Sequence, residues 1–245
     1  MDTPATHHSR EPDAPSHRSD ELADIDQLSG WISEGKLPEL SPTHQRRSLK
    51  TALRLLESGW QLLRDHPLED ISVEMVCRQA SVPSGSFYAR FASKHAYFLT
   101  LLRVHFIGSY QRRRNLVART SGIDISLSDF CLDYVRTSVT SYRRGIGIMR
   151  AVFQQTDEES WCMYRASADL SRDLLFNKLT EYFPGMPPEM LKERILFAHQ
   201  IFMGTMVHLT LDGRGPLTLQ DDRTISELAY MMELYLNAPP QRQVS

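Results

Sequence analysis

The sequence predicts an all-α chain: an N-terminal three-helix domain built around a helix-turn-helix, followed by a larger C-terminal helical domain. Three observations predict it. Apolar residues recur every three or four positions over most of residues 41–237, and no stretch combines strand alternation with turn chemistry. Residues 71–98, ISVEMVCRQASVPSGSFYARFASKHAYF, read as two short helices joined by a tight turn and followed by the start of a longer helix. The formal charge of −2 over 245 residues divides unevenly, as −6 for 1–43, +8 for 44–119 and −4 for 120–245. Only the middle block suits a polyanion, and it contains the helix-turn-helix.

In chain order, residues 1–19 are rich in Pro, Ser, His, Asp and Arg with little to bury, and are expected to be disordered. His7, His8 and His17 read as part of a solvated tail rather than as a metal site. From Asp20, Leu22, Ile25, Leu28 and Ile32 recur at helical spacing with Trp31 beside them. Such a helix either docks on the body or a partner, or frays. Residues 1–40 thus form an acidic N-terminal extension, and its charge suggests that it lies over the basic block and competes with DNA. Ser41-Pro42 is a helix start, and Leu49, Leu53, Leu56, Trp60 and Leu63 share one face up to about Arg64. Pro67 within the polar 65–70 stretch breaks that helix.

Ser72 then caps a short helix with Val73, Val76, Cys77 and Ala80 inward. Pro83, which lacks an N–H and has a fixed φ, is expected in the first turn of the next helix, where Phe87 and Phe91 are the large anchors. Ser93 caps a helix running through Leu99, Leu102, Phe106 and Tyr110 toward Arg114. Two short helices crossing at a tight turn form the unit that lays a helix in the DNA major groove. Ser84, Ser86 and Arg90 could reach base edges, and Gly85 permits close approach of the backbone. The N-termini at Ser72-Val73 and at Ser93 offer N–H groups to phosphates. Arg46 and Arg47 add backbone or minor-groove contacts, and Arg112, Arg113 and Arg114 read as a solvated charge run.

The C-terminal helices are expected at 126–143, 146–155, 158–183, 188–211 and 224–237. The fourth is apolar nearly all round, and the last has two apolar faces, one with Ile225, Leu228, Met232 and Tyr235 and another with Tyr230, Met231 and Leu234. A single chain has little left to cover them, so a homodimer is expected through Phe202, Met206, Leu209, Ile225, Leu228, Met232 and Tyr235.

The run Ala80, Ser81, Val82, Pro83, Ser84, Gly85, Ser86, Phe87, Tyr88, with Phe91, Ser93 and Lys94, resembles the DNA-binding signature of the TetR family of transcriptional regulators. With Arg47, Leu53, Leu56 and the 71–73 entry, the resemblance covers residues 47–98, about a fifth of the chain. Ser81 stands where that family usually has Gly, and His95 where it usually has Glu. The resemblance implies domains at 41–98 for DNA binding and 99–245 for ligand binding and dimerisation. It also implies phosphate contacts from Tyr88 and Lys94, and a four-helix-bundle dimer on a palindromic operator in double-stranded DNA. The helix after Ser93 would transmit ligand binding to the DNA-binding end. Phe106, Tyr110, Phe130, Tyr134, Met149, Phe153, Trp161 and Met163 fall on the helices that surround the family's ligand cavity. Aromatics and Met in such a place suit an unknown small molecule, apolar or amphipathic, that releases a repressor.

Other classes are less well supported. No catalytic motif, Glu-x-x-His pair, phosphate-cradling Gly loop, Cys-x-x-Cys or cofactor signature occurs, so no catalytic residue, metal or cofactor is expected. No apolar run approaches a membrane span, and no apolar signal segment precedes the body, so the expectation is a cytoplasmic protein. A protein-interaction or ligand-binding module that has lost DNA binding is disfavoured by the +8 block with Gly85, Tyr88 and Lys94. A redox sensor through Cys131 or Cys162 is disfavoured because both cysteines sit among apolar residues without clustered positive charge, as inert buried thiols.

Overall fold

The computed structural model describes residues 22–43, 45–155 and 157–239. Ten α-helices are present among them, with no strand beyond an isolated antiparallel bridge between Leu40 and Phe91. The histidines at 7, 8 and 17 lie outside the described residues.

Helix α1, Ile25–Ser33, begins at a capping box: Asp24 accepts from the Gln27 backbone N–H, and the Gln27 side chain accepts from the N–H of Asp24. Nine residues are too few for a free-standing helix. It persists because Leu28 and Trp31 are buried against α2, Arg46–Asp65. Leu37 and Leu40 follow into the same core. The Arg103 Nε donates to both oxygens of Glu39, at 2.7 and 2.9 Å, and Ser41 N–H donates to the Arg90 carbonyl at 2.8 Å. Residues 22–41 are therefore part of the N-terminal domain rather than a loose cover, and deleting them would expose its core. Helix α2 starts at Arg46, not at Pro42.

The next helices are α3, Val73–Ala80; α4, Ser84–Tyr88; and α5, Lys94–Thr120. Phe87, Phe91 and Tyr97 meet with ring centroids 4.9–5.2 Å apart and pin α4 to the start of α5. The Tyr97 hydroxyl donates to the Leu55 carbonyl at 2.6 Å in a notch that exists because residue 59 is Gly. The remaining helices are α6, Leu127–Arg144; α7, Ile146–Gln154; α8, Glu158–Leu179; α9, Pro188–Leu211; and α10, Arg223–Asn237. Helix α5 packs against α2, α6 and α8, α7 lies on α2, and α10 lies on α6 and α9. Hydrophobic residues from both ends of the molecule belong to one continuous core.

The α9–α10 region corrects the expected dimer residues. Phe202, Met206, Leu209, Ile225, Leu228 and Met232 are all buried within the single chain, because α10 turns that face onto α6. The opposite faces remain apolar and uncovered: Leu196, Phe197 and Leu211 on α9, and Tyr230 and Leu234 on α10. Tyr235 borders that surface, its ring 5.1 Å from Phe197. Buried Arg194 donates to the carbonyls of Tyr235 and Leu236, at 3.3 and 2.7 Å, and so closes the C-terminus of α10.

Candidate functional site

Serine caps open the helices on either side of α4, α3 before it and α5 after it. Ser72 accepts from Met75 N–H at 3.2 Å, and Ser93 accepts from Ala96 N–H at 3.0 Å. Pro83 is the N-cap of α4 rather than its first helical residue, so the helix begins one residue later than expected. Helix α3 ends in a Schellman turn, with Val82 N–H donating to the Cys77 carbonyl and Ser81 N–H to that of Arg78. This turn places Ser81 in the left-handed region, φ 51° and ψ 51°, the sole non-Gly residue with positive φ among those described. Arg54 from α2 donates to the carbonyls of Ala80 and Ser81, fixing the turn from below.

Ser84, Gly85 and Tyr88 form an exposed ridge on α4, with Ser86 half-buried beside it. Tyr88 is 57 % exposed, with its ring edge-on to Phe87. A Cβ at Gly85 would meet no protein atom, so that side of the helix is open. Lys94 opens α5, half-buried, with Nζ 3.2 Å from the Glu69 carbonyl. Arg46 and Arg47 stand exposed at the start of α2. Val73 packs its side chain against the core, so only its backbone could face a phosphate.

Arg90 departs from the expectation of base contact. Its guanidinium donates to the Ser48 carbonyl at 3.2 Å, the Ser48 hydroxyl at 3.0 Å and the Ser86 carbonyl at 2.6 Å. It ties α4 to α2.

Residues 55–101 match the family model described as bacterial regulatory proteins, tetR family. The chain carries a TetR-family DNA-binding domain. The likeness extends past it: the HTH-type transcriptional regulator EthR of Mycobacterium tuberculosis is 26% identical over 181 residues, covering 68% of this chain and 83% of that protein. NalD, the secondary repressor of the MexAB-OprM efflux pump in Pseudomonas aeruginosa, superposes with TM-score 0.53 at 23% identity, covering 76% of this chain and 96% of that one. Salmonella enterica GusR superposes with TM-score 0.56 at 15% identity, covering 78% and 97%. The two superposed structures share this all-helical fold.

Within the C-terminal helices lies a narrow cavity of about 30 Å³, space for a water or two. Phe106, Tyr134 and Met149 line it as expected. Tyr110, Phe130, Phe153, Trp161 and Met163 do not. Phe130 is fully buried beside Tyr134 and Tyr182, and Phe153 and Trp161 pack on the far side of Tyr164. Phe202, expected at the dimer interface, lines the cavity with Met203.

The lining that sequence reasoning missed is polar. His105, Ser109 and Arg113 come from α5, Ser138 and Tyr142 from α6 beside the expected Tyr134, Tyr164, Ser167 and Ser171 from α8, and His199 from α9. On α5 and α6 the polar lining stands at i, i+4 and i+8, and on α8 at i, i+3 and i+7, one stripe along one face of each helix, and that spacing was the available signal. Arg113 is therefore buried, and Arg112 is half-buried against the Ser141 hydroxyl at 3.2 Å; only Arg114 of the three is solvated. Burial, reinforced by the Arg112 and Arg113 charges, lowers His105 to about 3. Burial, with Arg172 and Arg113, does the same for His199. The Tyr142 and Tyr164 hydroxyls lie 3.3 Å apart, and burial holds both phenols protonated.

The cavity adjoins the DNA-binding domain directly. The His105 ring is 5.5 Å from that of Trp60 on α2. Met149 sits on α7, where a Cβ at Gly147 would overlap the Leu63 backbone of α2. Cys77 and Cys131 are buried and raised by burial, Cys131 to about 12. Cys162 is exposed, which corrects its expected burial. No helix among the described residues is long and apolar enough to cross a membrane.

Proposed function

We propose that the protein is a dimeric repressor that reads a palindromic operator and is released by a small molecule bound in the α5/α6/α8/α9 cavity. The observation that carries the DNA-binding part is the α3–α4 unit, with its exposed ridge of Ser84, Gly85 and Tyr88, inside a domain matched over 55–101 by the tetR family. Ser84 and Ser86 face base edges, while Tyr88, Lys94, Arg46 and Arg47 take phosphates. Arg90 and Arg54 hold the reading helix in place. EthR and NalD are named as a transcriptional regulator and a repressor, and they support the same reading for this chain.

A second copy covers the apolar α9–α10 surface formed by Leu196, Phe197, Leu211, Tyr230 and Leu234. Its symmetry would set the two reading helices about one DNA turn, or a multiple of it, apart. A ligand weakens DNA binding only insofar as it prefers a conformation that misplaces those helices. Trp60 against His105, and the Gly147–Leu63 contact, are the routes by which a widened cavity would displace α2.

The test is retention of genomic fragments on the purified protein, followed by footprinting. Fragments sharing an inverted repeat support the reading; retention indifferent to sequence counts against it.

A further inference from the structure

The cavity holds a charge with nothing to balance it. Arg113 is 6% exposed, and its one hydrogen bond among the described residues is from Nη1 to the Ser109 hydroxyl, at 2.7 Å. Among the described residues its Nε has no partner, nor has Nδ1 of His105, which lines the same space. No carboxylate among the described residues pairs with this guanidinium, whereas buried Lys178 has both Glu181 and the Thr120 carbonyl. Guanidinium groups stay charged, and a buried charge is normally paired or coordinated. Both cavity histidines are held neutral, so neither contributes a competing charge.

We infer that the cavity takes a monocarboxylate, its carboxylate seated on the Arg113 guanidinium and its apolar body lying among Phe106, Met149, Phe202 and Met203. This rests on the ligand-released repressor reading and narrows it: the sequence alone suggested an apolar or amphipathic ligand without specifying a charge. A flat carboxylate matches the guanidinium fork. A doubly charged phosphate would call for more than the single unpaired cation the cavity provides. Neutral imidazole and the Tyr142–Tyr164 pair can add hydrogen bonds to the second oxygen. At about 30 Å³ the space admits no such body without movement. The thioethers of Met149 and Met203 are the pliant part of the wall. Displacing Met149 presses on α7, and through Gly147 on the Leu63 backbone.

The experiment compares octanoate with 1-octanol and benzoate with benzyl alcohol, pairs that differ in the anion. Thermal unfolding and tryptophan fluorescence are followed in wild type, R113M and R113K. The expected result is stabilisation by at least one carboxylate at millimolar concentration, with its alcohol at least tenfold weaker. R113M should lose the difference while melting no lower than wild type without ligand, because it removes a desolvated, unpaired charge. R113K should bind the carboxylate about tenfold more weakly, keeping charge without the fork. Alcohols binding as well as their carboxylates, no stabilisation by either carboxylate, or R113M retaining the full response would each overturn the inference. The wild-type comparison decides even if a variant fails to fold. An operator duplex in parallel separates the two levels. Release by the alcohols alone keeps the repressor and removes the anion site; carboxylate binding without release keeps the site and removes ligand control.

Discussion

The two buried histidines make folding stability depend on pH in a calculable way. Both His105 and His199 titrate near 3 in the folded chain, against about 6.5 for an imidazole in the unfolded one. Between these values the unfolded state binds more protons than the folded state, so stability falls as pH drops from about 6.5 toward 3 and is fully present above that window. Integrating from pH 7 to pH 5 gives a loss of about 2 kcal/mol per histidine, or about 4 kcal/mol for the pair. Urea unfolding at the two pH values, at fixed protein concentration because a dimer's stability depends on it, would compare wild type with H105Q, H199Q and the double variant. Each single variant should lose about half of the excess pH dependence and the double variant nearly all of it. A double variant as sensitive to acid as wild type would show that these histidines are not buried neutral, and the assigned cavity chemistry would fall with it.

Four further outcomes are expected. Ser81→Gly relieves a left-handed serine and should raise the urea midpoint by the equivalent of about 1 kcal/mol, with operator affinity preserved; a loss of stability would contradict the assigned turn. Gly147→Ala forces a methyl into the Leu63 backbone and should cost about 1–3 kcal/mol in the same assay while weakening operator binding. Lys94→Ala should weaken binding to all duplexes alike and reduce the slope of log affinity against log salt by about 2 for a dimer, one phosphate per protomer. Phe197→Glu with Leu234→Glu should give a folded monomer in sedimentation, whereas Met232→Glu, placed in the core, should unfold the chain; a dimer that survives the double surface change would refute the α9–α10 interface.

The helix-turn-helix was legible because local chemistry dictates it. Ser72 and Ser93 can satisfy helix N-termini, Pro83 cannot sit inside a helix, and Phe87 and Phe91 must be covered. The bounds of α9, Pro188–Leu211, follow likewise from proline at its first turn. The extension was less legible, since α1 gains its stability from burying Leu28 and Trp31 against residues distant in sequence. The faces of α9 and α10 were not: a helix that is apolar on two sides does not say which side meets α6 and which meets a second copy. Arg90 and Arg113 were misplaced for a shared reason. An arginine looks free to reach DNA or solvent until its helix is placed; only then do the bonds from Arg90 to Ser48 and the inward direction of the stripe His105–Ser109–Arg113 show. Aromatics pointed to the right helices for the cavity and to Phe106 and Tyr134 in its lining, but also to Phe130, Phe153 and Trp161, which pack against neighbouring rings instead.

The most direct test of the account is selection of randomised duplexes by the purified protein, followed by salt titration and sedimentation of the best complex. The account predicts an inverted repeat with half-sites about one helical turn, or a multiple of it, apart. It also predicts two or an even number of protomers per duplex, and affinity that falls steeply as salt rises. A pool that shows no enriched repeat, or a single protomer on a single half-site, would contradict it.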